Sequence, residues 1–287
     1  MHRLRKTEPP PEKICPASEF GIEFDKRFVY NVFKYYVREV CGLGQIVAVI
    51  SGKGGTGKTS VCAAVAVCLA LENRRVLCLD LDMGLRNLDI ALGMENESPI
   101  PFTSVMRGEY ALSQAPCHPS RENLQLLTAP VLESPDSVSP EAFFAWLGPL
   151  RQTYDFILID SPAGVGSGFR LAVGCADEAM LVTHCDPGSV RDAARTAELL
   201  RQYPALRARL VMNRVSKRLF SRMQTTIDDV MDAVGLPLLG VVPEDESVPL
   251  AAAAGKPLVE YTYQGAALAA LHLAKRLCSE RVPLMRL

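Results

Sequence analysis

From Gln45 onward the chain alternates short, wholly apolar runs with longer segments whose apolar positions recur at helical spacing. Seven runs read as strands: QIVAVIS, RVLCLDL, LQLLTA, DFILIDS, EAMLVTH, ARLVMNR and PLLGVVP. They are continuous rather than alternating, so both of their faces must be buried. That pattern predicts a mostly parallel sheet with helices on each side. Helical segments are expected at 58–73, 140–152, 168–176, 187–202 and 224–234, and GAALAALHLAKRLC predicts a last helix packed on the sheet. The expected class is α/β, doubly wound, over a single domain at 45–287.

The pattern ahead of Gln45 differs. Residues 1–24 contain EPPPEK and mixed polar residues, and read as a disordered arm. In 25–44 the apolar and aromatic positions 28, 29, 32, 33, 36, 37, 40 and 41 form a helical stripe, with Lys26, Arg27, Lys34 and Arg38 elsewhere. Three readings stand: a basic amphipathic helix lying in a membrane interface; a helix burying Phe28, Val29, Val32, Phe33, Tyr36 and Val37 against protein; or an extension not normally translated, the protein beginning near Gln45.

Composition narrows the function classes. With 48% hydrophobic and 22% charged residues among 287, the chain is an ordinary soluble globular sequence. A net charge of −1 excludes bulk recruitment to nucleic acid or anionic lipid, leaving only local patches. The nine cysteines are scattered without a CxxC pair, which reads as a reducing cytoplasm rather than a disulfide framework. No stretch approaches the ~20 apolar residues that span a bilayer, so peripheral contact with the inner face of the membrane is the most expected there. Cys117 and His118, adjacent in an expected loop, fall short of a metal site.

Gly52-Lys53-Gly54-Gly55-Thr56-Gly57-Lys58-Thr59 satisfies G-x-x-x-x-G-K-[ST], directly after a strand and opening a helix. Glycines let backbone N–H groups turn onto phosphates, and the helix N-terminus adds its positive end. Lys58 is expected on the β- and γ-phosphates and the Thr59 hydroxyl on Mg²⁺, with Ser60 completing the loop. The fold is therefore expected to be P-loop NTPase-like, with ATP and Mg²⁺ as its ligands.

Lys53 is an extra lysine at the second loop position, and KGGTGKT resembles the deviant Walker A ATPases of the MinD/ParA family. DMGLRNLDIALG, DSPAG, ADEAMLVTHCDPGSVRDAAR and LLGVVPEDESVPLAAAAGKPLV extend the resemblance over about residues 45–285, nearest to the MinD branch. It implies a slow ATPase that dimerises on ATP, with Lys53 reaching the partner copy's phosphates; the alternative for Lys53 is a solvated loop charge. Asp82 would orient the attacking water or stand in the outer shell of the Mg²⁺, and Asp80 would support the Mg²⁺ or loop network; the alternative for each, more so for Asp80, is a solvated strand end. Asp160 would hold a Mg²⁺-bound water, in a switch loop with Pro162, and the Gly164 N–H would sense the γ-phosphate. Asn213 would read adenine, or else serve as a strand-end turn residue, while Pro243, Glu244 and Asp245 close over the base. Ser189, Arg191 and Asp192 would lie near a dimer or partner surface, or form a solvated helix start.

The resemblance also implies a role in placing the division site, with MinC-like and MinE-like partners. Alternatives within the family are a flagellar-number regulator, which usually lacks Arg86, and a ParA-like DNA-partitioning ATPase. For the last, Arg201 to Arg222 holds seven Lys/Arg and no acid, though a solvated edge near the nucleotide pocket is the favoured reading of that run. The family's C-terminal membrane-targeting helix is expected to be missing, since the likeness runs through AKRLCSERVPLMRL and stops.

Overall fold

The computed structural model describes residues 43–83, 86–223 and 225–285. The arm at 1–24 and nearly all of the stripe at 25–44 lie outside the described residues. Eight strands form one sheet: β1 (Gln45–Ile50), β2 (Val76–Asp80), β3 (Cys117–His118), β4 (Arg121–Leu127), β5 (Phe156–Asp160), β6 (Glu178–Thr183), β7 (Arg207–Val215) and β8 (Leu238–Pro243), in the order β3-β4-β2-β5-β1-β6-β7-β8. All neighbours are parallel except β3, which runs antiparallel to β4 at one edge. The expected doubly wound class is the observed one.

β3 corrects the loop expected at Cys117 and His118. Two residues are too short a stretch to show periodicity. His118 is buried there: its Nε2 lies 2.9 Å from the Leu92 carbonyl, and its Nδ1 accepts from the Ser120 N–H at 3.2 Å.

The helices are α1 (Lys58–Leu71), α2 (Leu88–Ala91), α3 (Phe102–Met106), α4 (Pro140–Leu150), α5 (Ser167–Cys175), α6 (Pro187–Leu200), α7 (Lys217–Met223), α8 (Ile227–Val234), α9 (Ser247–Ala253), α10 (Leu258–Tyr261) and α11 (Gly265–Leu277). Their starts follow the local chemistry. Ser139 caps α4 through the Ala142 N–H with Pro140 behind it, and Asp186 caps α6 through the Ser189 N–H with Pro187 behind it. Thr226 and Asp229 form a reciprocal capping box, so α8 begins at Ile227, three residues later than expected. The five short helices α2, α3, α7, α9 and α10 escaped the sequence pattern because each spans two turns or fewer.

Strands β1, β2, β5 and β6 are buried at every position, as their continuous apolar runs require. One core lies under α4, α5, α6 and α8, and a second under α1 and α11. Each fully buried leucine or phenylalanine side chain contributes about 1.5–3 kcal/mol relative to exposure. Because seven strands run one way, all their carboxyl ends open on one edge. There the loops are free to carry chemistry.

Candidate nucleotide-binding site

The central strand β1 delivers the chain into Ser51–Gly57, and α1 opens at Lys58. Gly55 and Gly57 both sit at φ +80°, a left-handed conformation that a side chain resists. Gly57 is tightest, since a Cβ there would fall 2.3 Å from Asn213 Nδ2. A Cβ on Gly52 would fall 2.5 Å from the Asp192 carbonyl oxygen, so α6 closes the loop's other flank.

No side chain caps α1, which leaves its first N–H groups without an intrahelical acceptor. Among the described residues, the N–H groups of Lys53 to Gly57 also donate to no backbone oxygen. A ring of unclaimed donors at a helix N-terminus is an anion cradle, and nothing lies within 4 Å of where a Cβ on Gly55 would point. These donors fit a phosphate group.

The two lysines part company here. Lys58 is buried, and its Nζ donates to Asp160 Oδ1 at 2.6 Å. The Thr59 hydroxyl donates to the other oxygen, Oδ2, at 2.7 Å. Burial pushes the Asp160 carboxyl up from its ordinary range, and the Lys58 ammonium and Thr59 hydroxyl pull against it. A threonine oxygen and a carboxylate side by side are the hard oxygen donors that Mg²⁺ prefers, so this pair fits the ion. Lys53, by contrast, is exposed at the loop's tip, and its carbonyl accepts from the Ser51 hydroxyl at 3.0 Å.

Two further carboxylates lie at the end of β2. Asp80 is buried and accepts from the Asp82 N–H at 2.8 Å and the Leu88 N–H at 3.3 Å. It thereby organises the turn that carries Asp82, and it does not end its strand in solvent. Burial, reinforced by the charge of Asp160, pushes the Asp80 carboxyl up to about 7. Asp82 itself is half-buried, and Arg86 pairs with Asp89 at 2.5 Å just beyond it.

The loop after β5 is tied to the phosphate loop. Ser161 N–H donates to Val49 O at 3.1 Å, and Gly164 N–H, at φ +85°, donates to Ser51 O at 3.0 Å. The resemblance gave the Gly164 donor to a phosphate; in this structure a carbonyl of the phosphate loop itself takes it. Pro162 packs on α5, where a Cβ on Gly168 would meet its Cγ at 2.4 Å.

The far end of the site is assembled from distant segments. A cleft of about 1080 Å³ runs from Gly57 and Ser60 past Asn213 to Pro243, Glu244 and Asp245. Asn213 is buried, and its Nδ2 donates to Thr56 O at 2.7 Å, so it staples the phosphate loop as well as lining the cleft. A register shift between Met212 and Val215 produces this, with Arg214 thrown outward at φ +52°. Asp245 accepts from the Ser247 and Ala266 N–H groups, each at 2.8 Å, which fixes the loop after β8.

Ser216, Lys217 and Arg218 form the rim of the cleft and were not singled out for it in the sequence. Their signal, the polar turn SKR following a strand, is too common to mark a site. Ser189 is buried at the start of α6, where its N–H donates to Asp186 at 3.0 Å, while Arg191 is exposed.

The basic run of 201–222 divides. Arg201 pairs with Glu198 at 2.8 Å, and Arg207 and Arg209 both pair with the fully buried Glu178 at the amino end of β7. Lys217, Arg218 and Arg222 lie beyond its carboxyl end, roughly 25 Å away at 3.3 Å per residue. There is no single seven-charge patch.

A strand, a glycine loop in left-handed turns and a helix, at the carboxyl edge of a parallel sheet and with a buried lysine and threonine on one carboxylate, define a P-loop nucleotide-binding protein. Residues 47–258 match the CobQ/CobB/MinD/ParA nucleotide binding domain, and the chain belongs to that family. It is 35% identical over 246 residues to the septum site-determining protein MinD of Bacillus subtilis, covering 84% of this chain and 92% of the relative. Among solved structures, MinD in the MinC:MinD cell division complex of Aquifex aeolicus superposes with a TM-score of 0.78 at 30% identity, covering 85% of this chain and 99% of that one. MinD of Pyrococcus horikoshii, solved with Mg-ADP, gives 0.71 at 31% identity, covering 82% and 96%. Among the described residues no helix is long and apolar enough to cross a membrane.

Proposed function

We propose that this protein is an ATP-dependent dimerising switch that hydrolyses ATP with Mg²⁺ and acts in placing the division site, as the names of its relatives indicate for them. The observation that carries the reading is the division of labour between the lysines. Lys58 is buried against Asp160, inside the loop, where a bound phosphate would meet it. Lys53 is exposed on the same loop, turned to whatever faces the molecule. A cation presented outward beside a phosphate cradle suits a second copy of the same chain, whose developing phosphate charge it would stabilise.

In this reading the loop amides from Gly54 to Ser60, with Lys58, hold the phosphates. Thr59 and Asp160 hold Mg²⁺, the latter through water, and Mg²⁺ supplies neutralising charge. Asp82 positions water, and Asp80 holds the Asp82 turn in place. Asn213 and the backbone of Pro243, Glu244 and Asp245 receive adenine. A MinC-like protein is the partner supported by the Aquifex complex; a MinE-like activator follows from the family alone. We place the working protein in the cytoplasm, with membrane contact to be tested by vesicle co-sedimentation. The split of the basic run disfavours a ParA-like grip on DNA, because three of its seven cations already pair with acids, Arg207 and Arg209 sharing the one carboxylate of Glu178.

The test compares two alanines in gel filtration and nucleotide binding. Lys58→Ala should abolish ATP binding. Lys53→Ala should bind ATP within about threefold of the parent while losing the dimer and turnover, as expected for a group acting in trans. Equal loss of binding in both variants would defeat the trans role.

A further inference from the structure

Two apolar features flank the phosphate loop on opposite sides, and the exposed side chains of neither, Val131, Leu132 and Leu219, line the cleft. Beyond β4, Val131 is 62% exposed and Leu132 is 98% exposed. Their loop is braced by the residues that follow it. Glu133 takes two hydrogen bonds from the Arg107 guanidinium, at 3.0 and 3.2 Å, and one from the Thr103 hydroxyl at 3.1 Å. Beyond it the Ser134 hydroxyl caps the turn Pro135–Ser137. A leucine held fully in water on a braced loop gains only if another surface covers it. Asp136 and Glu141 follow Leu132 in the chain by four and nine residues, both exposed and, among the described residues, without a basic partner.

The second feature is α7, beyond β7. Leu219 is 49% exposed on it, and no residue of the helix is buried. Its surroundings are of opposite sign: Lys217, Arg218 and Arg222 are exposed, and among the described residues none pairs with an acid.

Strand order places these features on either side of one axis. β1 carries the phosphate loop; β4 stands three positions to one side of it and β7 two to the other. At about 4.8 Å per strand these are roughly 14 and 10 Å. Two-fold axes of two directions would bring the phosphate loops together. One along the strand order sets acid against acid and base against base, whereas one across it carries each side of one copy onto the opposite side of the other and is the one the charges favour. The acid-flanked leucine then meets the base-flanked leucine, twice.

We propose that the Val131–Leu132 loop of one copy docks on α7 of a second copy, with Leu132 against Leu219 and with Asp136 and Glu141 beside Lys217, Arg218 and Arg222. The inference rests on the dimer reading above and adds the contact that gives the dimer its hold. Because Lys217 and Arg218 also rim the nucleotide cleft, docking covers the mouth of each copy's site with its partner's loop. Closure and dimerisation become one event.

The experiment is sedimentation velocity of the full chain with Mg²⁺ and a non-hydrolysable ATP analogue, for the parent, Leu132→Lys, Leu219→Glu and the double variant. Each single change removes an apolar contact and sets like charge against like. Each should weaken the dimer at least ~10-fold, and the double variant should recover most of that loss. Binding of a fluorescent ATP analogue at low protein concentration should be unchanged in all four, since both leucines are exposed and neither lines the cleft. Singles that dimerise like the parent, or a double no better than the two losses combined, overturn the docking while the dimer stands. A monomeric parent overturns the dimer reading itself. Retained dimerisation with loss of DNA retention in Leu219→Glu would also overturn the docking, and assign α7 to nucleic acid.

Discussion

The two ends of the nucleotide cleft are built on different principles. The phosphate end is one contiguous stretch, Gly52 to Ser60, and its working parts are backbone N–H groups. The base end is gathered from β7, the loop after β8 and α7, and its parts, the Asn213 side chain and the backbone of 243–245, are brought together by tertiary contacts. Backbone that must turn through φ +80° at Gly55 and Gly57 leaves a mark in sequence, because only glycine does this without strain. A side chain such as Asn213 leaves none, because asparagine at a strand end is common for other reasons.

The comparison can be broken most forcefully at its seam, Gly57. Gly57→Val would put a branched side chain at φ +80° with its Cβ 2.3 Å from Asn213. We expect loss of nucleotide binding and a drop in folding stability on the order of 3 kcal/mol, read by thermal unfolding. Wild-type binding in this variant would mean that the two ends are not braced together.

Asn213→Ala tests the same brace from the other side. It removes the 2.7 Å bond to Thr56 O and leaves that buried carbonyl short of a donor. Stability should fall by about 1–3 kcal/mol, and ATP affinity by roughly tenfold, through a poorly held phosphate loop as well as a lost base contact. If inorganic pyrophosphate binds the variant as well as it binds the parent, the staple does not serve the phosphate end.

The smallest effect is a pH dependence at Asp80. Its folded carboxyl stands near 7, above the ordinary aspartate range. Between pH 4 and 7 the folded state therefore holds a proton that the unfolded chain has released, and this contribution to stability is lost as pH rises. In Mg²⁺-free, nucleotide-free buffer, Asp80→Asn should flatten the decline from pH 5 to pH 8 by on the order of 1 kcal/mol. Parallel unfolding profiles for variant and parent would refute this.

Legibility followed the same division throughout the molecule. The continuous apolar runs of β1, β2, β5 and β6 announced burial on both faces, and the structure has them so. β3 and the short helices stayed hidden because one or two turns cannot establish a period. Within the site, the loop lysines were visible as a motif, but their opposite exposures were not; that required Asp160 to arrive from β5, about a hundred residues on. The basic run left a DNA-binding patch open as an alternative because linear order put seven cations together, whereas nine residues of β7 separate them into two groups. Charge in sequence is counted along the chain, while charge in space is counted after neutralisation by partners such as Glu178.

The bond from Asn213 to Thr56 has a consequence for purine choice. A free asparagine amide presents either its oxygen or its nitrogen by a half-turn about its last bond. Here a half-turn would set the amide oxygen against the Thr56 carbonyl, two acceptors with no proton between them. The brace therefore fixes the orientation of the amide, and the acceptor it leaves uncommitted, beside one remaining N–H, is Oδ1. An acceptor welcomes the amino group of adenine and repels the carbonyl oxygen of guanine. Under the proposed reading, the preference for ATP over GTP is set by a contact that never touches the base.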